Sequence, residues 1–187
     1  MNAAFSLYLE LGFYHIVDRF AWDHLLFILA LIAPIPLKAW KPWLGALSAF
    51  TVGHTLAMAI QALAHIPLNP IWLEASVLGT LVLTAARVVW LKGTHKPQAK
   101  LWILAGLFGL IHGAAFWQDF SVMIPPDGLT WELWIGFTSG VELGQLSVVL
   151  TYFMVRALME QLGWSTRDFA LAVGAMCLGV ALHLAFS

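Results

Sequence analysis

Residues 101–122 read LWILAGLFGLIHGAAFWQDFSV, an apolar stretch without lysine or arginine. A helix rises 1.5 Å per residue, so about 20 residues cross the ~30 Å hydrocarbon core of a bilayer. The stretch has this length and follows directly after Lys100. It predicts a transmembrane helix that carries one histidine, His112, near its middle.

The rest of the chain repeats this pattern. Five further apolar stretches cover 4–34, 43–66, 71–91, 131–159 and 169–186. The whole chain is 61% hydrophobic and 10% charged, whereas a soluble domain carries roughly 25% charged residues. The sequence therefore predicts an all-α polytopic membrane protein, with about six transmembrane helices in a single transmembrane domain, residues 1–187.

The first stretch, 4–34, does not fit a simple span. Its full length exceeds what one upright helix needs, and its uninterrupted apolar part, 25–33, is shorter than the ~20 residues required. A tilted helix or a break near 17–21 would each resolve the mismatch. The sequence leaves both alternatives open.

The basic residues of the connections predict an orientation. They follow the first and third stretches, or lie at the end of the fifth and beyond it: Lys38, Lys41, Lys92, Lys96, Lys100, Arg156 and Arg167. Six spans place all three connections on one side, and the positive-inside rule makes that side cytoplasmic. Both termini are then expected outside.

Ionisable residues lie near the middle of four spans. Counting from the span ends puts Asp23, His24, His54, His112 and Glu142 at similar depth. One such group costs ~2.5–3.5 kcal/mol on insertion scales, and intramembrane ionisable residues are usually functional. A bound cation is the simplest shared partner, so we predict that these residues are metal ligands.

Other polar residues extend this site. His15 and Glu74 are expected nearer the outer surface, as further ligands along an access path. Thr51 shares a helix face with His54, and Thr138 and Gln145 share one with Glu142, which favours roles in orienting the ligands. A stripe of small residues on another side of the fifth span predicts close helix packing or a homo-oligomer interface; it consists of Gly136, Gly140 and Gly144.

A short internal match indicates a duplication. The segment from Phe50 to His54 resembles the segment from Phe137 to Glu142. His24 precedes His54 by 30 residues, and His112 precedes Glu142 by 30. A three-span unit repeated in sequence must insert in opposite orientations, so the match predicts a 3+3 inverted repeat with a site at its midplane, as in many transporters.

The same residues resemble the HupE/UreJ family of bacterial membrane proteins. The matching segments run over nearly the whole chain: His15-Ile16, Asp23-His24-Leu25-Leu26-Phe27, Phe50-Thr51-Val52-Gly53-His54-Thr55-Leu56, Glu74-Ala75-Ser76, Gly109-Leu110-Ile111-His112-Gly113 and Gly140-Val141-Glu142-Leu143-Gly144-Gln145-Leu146. The resemblance implies uptake of nickel or related divalent metals across the bacterial inner membrane. This chain is similar to the more divergent branch, since Ala21 stands where the family's Gly-x-Asp-His segment has glycine.

Three functions fit these observations. A permease for Ni, Co, Zn or Fe(II) agrees with imidazole and carboxylate ligands. An intramembrane metal-dependent hydrolase needs a similar ligand set, and a non-catalytic assembly subunit would use the buried polar groups for helix pairing. The net charge of −1 gives no reason to expect a nucleic-acid partner, and the single Cys177 excludes a disulfide framework or a thiolate metal site.

Overall fold

The computed structural model describes residues 3–18, 21–94, 100–124, 128 and 130–186. Regular structure in these residues is helical, without strands. The helices are α1 Ala3–Val17, α2 Trp22–Ile32, α3 Trp40–Ala64, α4 Pro70–Trp90, α5 Leu101–Ser121, α6 Trp131–Gln161 and α7 Thr166–Phe186. Helices α3 to α7 are each long and apolar enough to cross a membrane. The predicted all-α membrane fold is confirmed.

Local sequence determines where several helices begin. The Asn69 side chain accepts a hydrogen bond from the backbone N–H of Ile71 at 2.9 Å, and Pro70 occupies the first turn of α4. Thr130 caps α6 by accepting from the N–H of Leu133 at 3.4 Å. Both caps satisfy donors that the first helical turn leaves without partners.

The first apolar stretch is broken into two helices. Helix α1 has 15 residues and α2 has 11, so they span only about 22 and 16 Å, and neither crosses a bilayer alone. Helix α1 packs along the first half of α6, where Gly136 lies against Phe5 and Gly140 against Leu9. Helix α2 follows along the second half, where the Tyr152 hydroxyl donates to the Ala33 carbonyl at 2.9 Å.

A break between α1, which ends at Val17, and α2, which begins at Trp22, is therefore the alternative that the structure adopts. Helices α1 and α2 follow one another along α6 in the same direction, as a discontinuous helix does in a membrane. The count of six crossings requires α1 and α2 to make one crossing together, and it stays a prediction.

The basic connections meet at one end of the bundle. Arg167 donates to the Lys92 carbonyl at 3.2 Å, which joins the connection after α4 to the start of α7. The Trp102 indole donates to the Pro42 carbonyl at 3.1 Å, which joins the starts of α3 and α5. Arg156 donates to the Ile35 carbonyl at 3.1 Å. We call this end of the molecule the basic end.

Two parallel helix pairs, α1 with α6 and α3 with α5, form the most extensive contacts in the bundle. Small residues let their backbones touch: a methyl group on Gly12 or Gly140 would overlap a backbone carbonyl oxygen of the facing helix, as would one on Gly53 or Gly109. The Gly136, Gly140 and Gly144 stripe is thus covered by α1 of the same chain. An interface between copies would have to compete with α1, and the oligomeric state stays a prediction.

The predicted repeat has a counterpart in this packing that does not prove it. In the predicted repeat, the first apolar stretch is equivalent to α5, and α3 is equivalent to α6. Under that equivalence the α1/α6 pair corresponds to the α5/α3 pair, and both pairs are parallel. The inverted repeat remains a prediction.

Candidate metal site

Three histidines meet where the first stretch is broken. His15 lies in the last turn of α1, His24 in the first turn of α2, and His54 in the middle of α3. One ring nitrogen from each lies within 4.8 Å of the others. The ring centroids are 4.4 Å apart for His15 and His24, and 5.5 Å apart for His15 and His54. Imidazole nitrogens bind Zn²⁺ at about 2.0–2.1 Å, so modest ring rotations would bring all three to one ion.

The sequence places His15 nearer the outer surface, and this position is wrong. Because α1 ends where α2 begins, the ring of His15 packs against that of His24. A continuous helix would have separated these residues by nine positions, or about 13 Å along its axis. The break brings the two imidazoles together.

The histidines present unpartnered nitrogens. The Nε2 atoms of His15, His24, His54 and His112 are all buried, and none has a hydrogen-bond partner in the part of the chain that the structure describes. His54 and His112 are each only 1% exposed. Leaving one buried polar atom unpaired costs about 1–3 kcal/mol. Four such atoms on four helices fit a cation-binding site.

Hydrogen bonds at the other ring nitrogen fix two of these imidazoles. His112 Nδ1 lies 2.9 Å from the Phe108 carbonyl, which can only accept, so Nδ1 carries the proton and Nε2 keeps a free lone pair. His24 Nδ1 lies 3.0 Å from Asp23 Oδ1 and is oriented in the same way. Metal-binding histidines are commonly held by such carbonyl and carboxylate partners. This geometry assigns Asp23 an orienting contact with His24.

Four phenylalanines enclose the cluster. The Phe116 ring lies 3.7 Å from the His15 ring and stacks on Phe137 with centroids 5.4 Å apart. On another side, Phe27 and Phe50 lie 4.8 Å apart, and each is about 5 Å from the His112 ring. These rings are not among the site residues predicted from the sequence, all of which have ionisable or hydrogen-bonding side chains. The available signal was the internal match, since Phe50 and Phe137 begin its two segments.

A cavity of about 700 Å³ leads to the histidines. His15, His24 and His112 form part of its wall. It extends to Pro70 and Leu184, at the end of the bundle opposite the basic end. Its wall also carries carboxylates, which are Asp18, Asp23, Glu74 and Asp119. The arrangement can attract a cation electrostatically and expose it to imidazole nitrogens.

The two predicted glutamate ligands lie apart from the three-histidine group. Glu74 is exposed and lies in the cavity wall near the start of α4. Glu142 is partly exposed on α6, and it belongs neither to the group within 4.8 Å nor to the cavity lining among the described residues. A ligand role for either glutamate stays a prediction.

The predicted orienting residues bond to one another. Gln145 Nε2 donates to Thr51 Oγ1 at 3.0 Å, in a buried contact between α6 and α3. The hydroxyls of Thr138 and Thr55 are 3.3 Å apart across the same helix pair. These bonds fix α3, and therefore His54, relative to α6.

The contact between Asp23 and His24 gives a first testable prediction. We expect Asp23→Asn to weaken Ni²⁺ or Zn²⁺ binding by roughly 10–100-fold, because an amide cannot supply the negative charge that raises the basicity of the imidazole. Competition titration of the purified protein measures this change. Asp168→Asn, at the start of α7 near the basic end, is the matched control and should bind as the parent does. Equal affinities in both variants would contradict the assigned contact.

Together, the fold and the site define a polytopic helical membrane protein with a buried histidine cluster at a helix break. The sequence model of the family described as HupE / UreJ protein matches residues 1–186, and the chain belongs to this family. The family comprises membrane proteins related to nickel and cobalt transport. Comparisons with curated proteins and with solved structures give no match.

Proposed function

We propose that this protein is a permease for a divalent transition-metal ion and that His15, His24 and His54 bind the ion during transport. The convergence of unpartnered Nε2 atoms carries the proposal, because three histidines from separate helices supply nitrogens within 4.8 Å. His112 is close enough to exchange with them, since its ring centroid lies 5.5 Å from that of His24.

The ligand set determines the class of ion. Imidazole nitrogen suits Ni²⁺, Co²⁺, Zn²⁺ and Fe²⁺, whereas Mg²⁺ and Ca²⁺ prefer oxygen ligands. Cys177 is buried on α7, while the three clustered histidines lie on α1, α2 and α3. The absence of cysteine from the described histidine group argues against a thiolate site for Cu(I).

The cavity suggests a route for the ion. With the basic end cytoplasmic, both termini lie outside and the cavity faces the outside of the bacterial inner membrane. Asp18, Glu74 and Asp119 would raise the local cation concentration at its wall. The ion would then exchange water ligands for imidazoles at the helix break.

Uptake into vesicles tests the permease function. Proteoliposomes containing the parent should accumulate Ni²⁺, and His54→Ala should abolish the flux while the protein remains folded. His183→Ala, which changes an exposed histidine near the end of α7, is the matched control and should transport normally. Stoichiometric metal that survives dialysis, together with no flux in the parent, would refute the permease and favour a resident catalytic or structural ion.

A further inference from the structure

The four phenylalanines of the site form two pairs on opposite sides of the histidines. Helix α2 runs towards the basic end and α3 runs away from it, so Phe27 and Phe50 both lie on the basic side of His24 and His54. Helix α5 runs away from the basic end and α6 runs towards it. Phe116, which follows His112 on α5, therefore lies on the other side of the cluster, and Phe137 of α6 stacks on it.

The internal match relates the two pairs. It aligns Phe50 on α3 with Phe137 on α6. Phe27 follows His24 by three residues, and Phe116 follows His112 by four. Each pair therefore has the same composition. One phenylalanine (Phe27 or Phe116) lies about one helical turn after a histidine, and the other (Phe50 or Phe137) is the first residue of a matching segment. Their centroid distances are similar, at 4.8 Å and 5.4 Å.

The two pairs differ in their contact with the cavity, although Phe137 is itself only 2% exposed. Phe27 and Phe50 are 0% and 1% exposed, and Phe108 supports Phe27 with its ring centroid 6.1 Å away. Phe116 is partly exposed, and it lines the cavity together with Phe137. His15, His24 and His112 thus form part of the cavity wall, whereas packed aromatic rings cover the cluster on the basic side.

We propose that Phe27 and Phe50 form a gate that closes the site towards the basic end, and that Phe116 and Phe137 form its counterpart towards the cavity. This inference rests on the proposed permease function, for which the two gates would open alternately. Apolar constrictions block hydrated ions because an ion cannot replace its water ligands there. An inverted repeat supplies two equivalent closures, one for each side of a midplane site.

Thiol labelling from each side of the membrane tests the gate. The reporter is Ala115→Cys, in the cavity wall, combined with Cys177→Ala. In oriented vesicles a membrane-impermeant maleimide should label the reporter from the cavity side and not from the basic side. Adding Phe50→Ala should raise the labelling rate from the basic side about tenfold, because the truncated ring shifts the population towards an open gate.

A matched truncation separates gating from general loosening. Phe153→Ala removes a buried ring in the basic half of α6, next to Trp43 and outside the two pairs, and should leave labelling from the basic side unchanged. If Phe50→Ala lowers the melting temperature in detergent, Phe50→Leu replaces it as the opening variant. Labelling that stays confined to the cavity side in folded Phe50 variants would overturn the gate, as would equal labelling in Phe153→Ala.

The same assay distinguishes the gate from the permease function, because it requires no metal. If Phe50→Ala raises labelling from the basic side but the parent protein carries no Ni²⁺ flux, the gate proposal stands and the permease proposal is refuted. If the parent carries Ni²⁺ flux but Phe50→Ala does not change the labelling, the permease proposal stands and the gate proposal is refuted.

Discussion

Replacing His24 with alanine should abolish high-affinity metal binding, with a loss of affinity beyond the roughly 10–100-fold expected for removing an orienting partner. His24 has the central position in the site. Its ring contacts those of His15, His54 and His112, and its Nδ1 is held by Asp23. Calorimetric titration of the purified protein with Ni²⁺, Co²⁺ and Zn²⁺ measures the effect.

Two further variants serve as a control for His24→Ala and as a test of the ligand set. His183→Ala removes an exposed imidazole on α7 and should leave the affinity unchanged. Glu142→Gln tests the predicted ligand role of this glutamate, which lies outside the three-histidine group; retained affinity would limit the ligands to the histidines. If Glu142→Gln lost as much affinity as His24→Ala, the ligand set would have to include the glutamate, and α6 would have to turn towards the cluster to bind the ion.

The extents of the spans could be predicted from the sequence because the bilayer requires a fixed length of apolar chain. The stretch 101–122 corresponds to α5, Leu101–Ser121, and 71–91 corresponds to α4, Pro70–Trp90. Counting residues at 1.5 Å each also gave His54 and His112 similar depths. In the structure both rings contact Phe50, in agreement with that depth.

The rotation of each helix about its axis could not be predicted in the same way. In a soluble protein the apolar face identifies the core, but lipid and protein interior are both apolar. Depth therefore predicts a common level for His54 and Glu142 but not the direction in which each side chain turns; in the structure, the Gly136, Gly140 and Gly144 stripe turns one side of α6 towards α1. His15 was misplaced for a different reason, since the break between α1 and α2 changes the depth obtained by counting residues.

A large loss of stability should follow Gly113→Ala. A methyl group at this position would overlap the backbone carbonyl of His54, so α3 and α5 would have to separate. Overpacking of this kind costs about 1–3 kcal/mol. The separation would also displace the backbone that carries His54, so we expect both a lower melting temperature in detergent and weaker Ni²⁺ binding.

Gly79→Ala is the control: it makes the same glycine-to-alanine change but should not lower the melting temperature. In the part of the chain that the structure describes, no heavy atom of a neighbouring element lies within 4 Å of a methyl group built on Gly79, in the middle of α4. Alanine favours a helix over glycine by roughly 1 kcal/mol, so this variant should melt at or above the parent temperature and bind Ni²⁺ equally well. If Gly113→Ala behaved in the same way, α3 and α5 would not be in backbone contact, and the position of His54 could not depend on that contact.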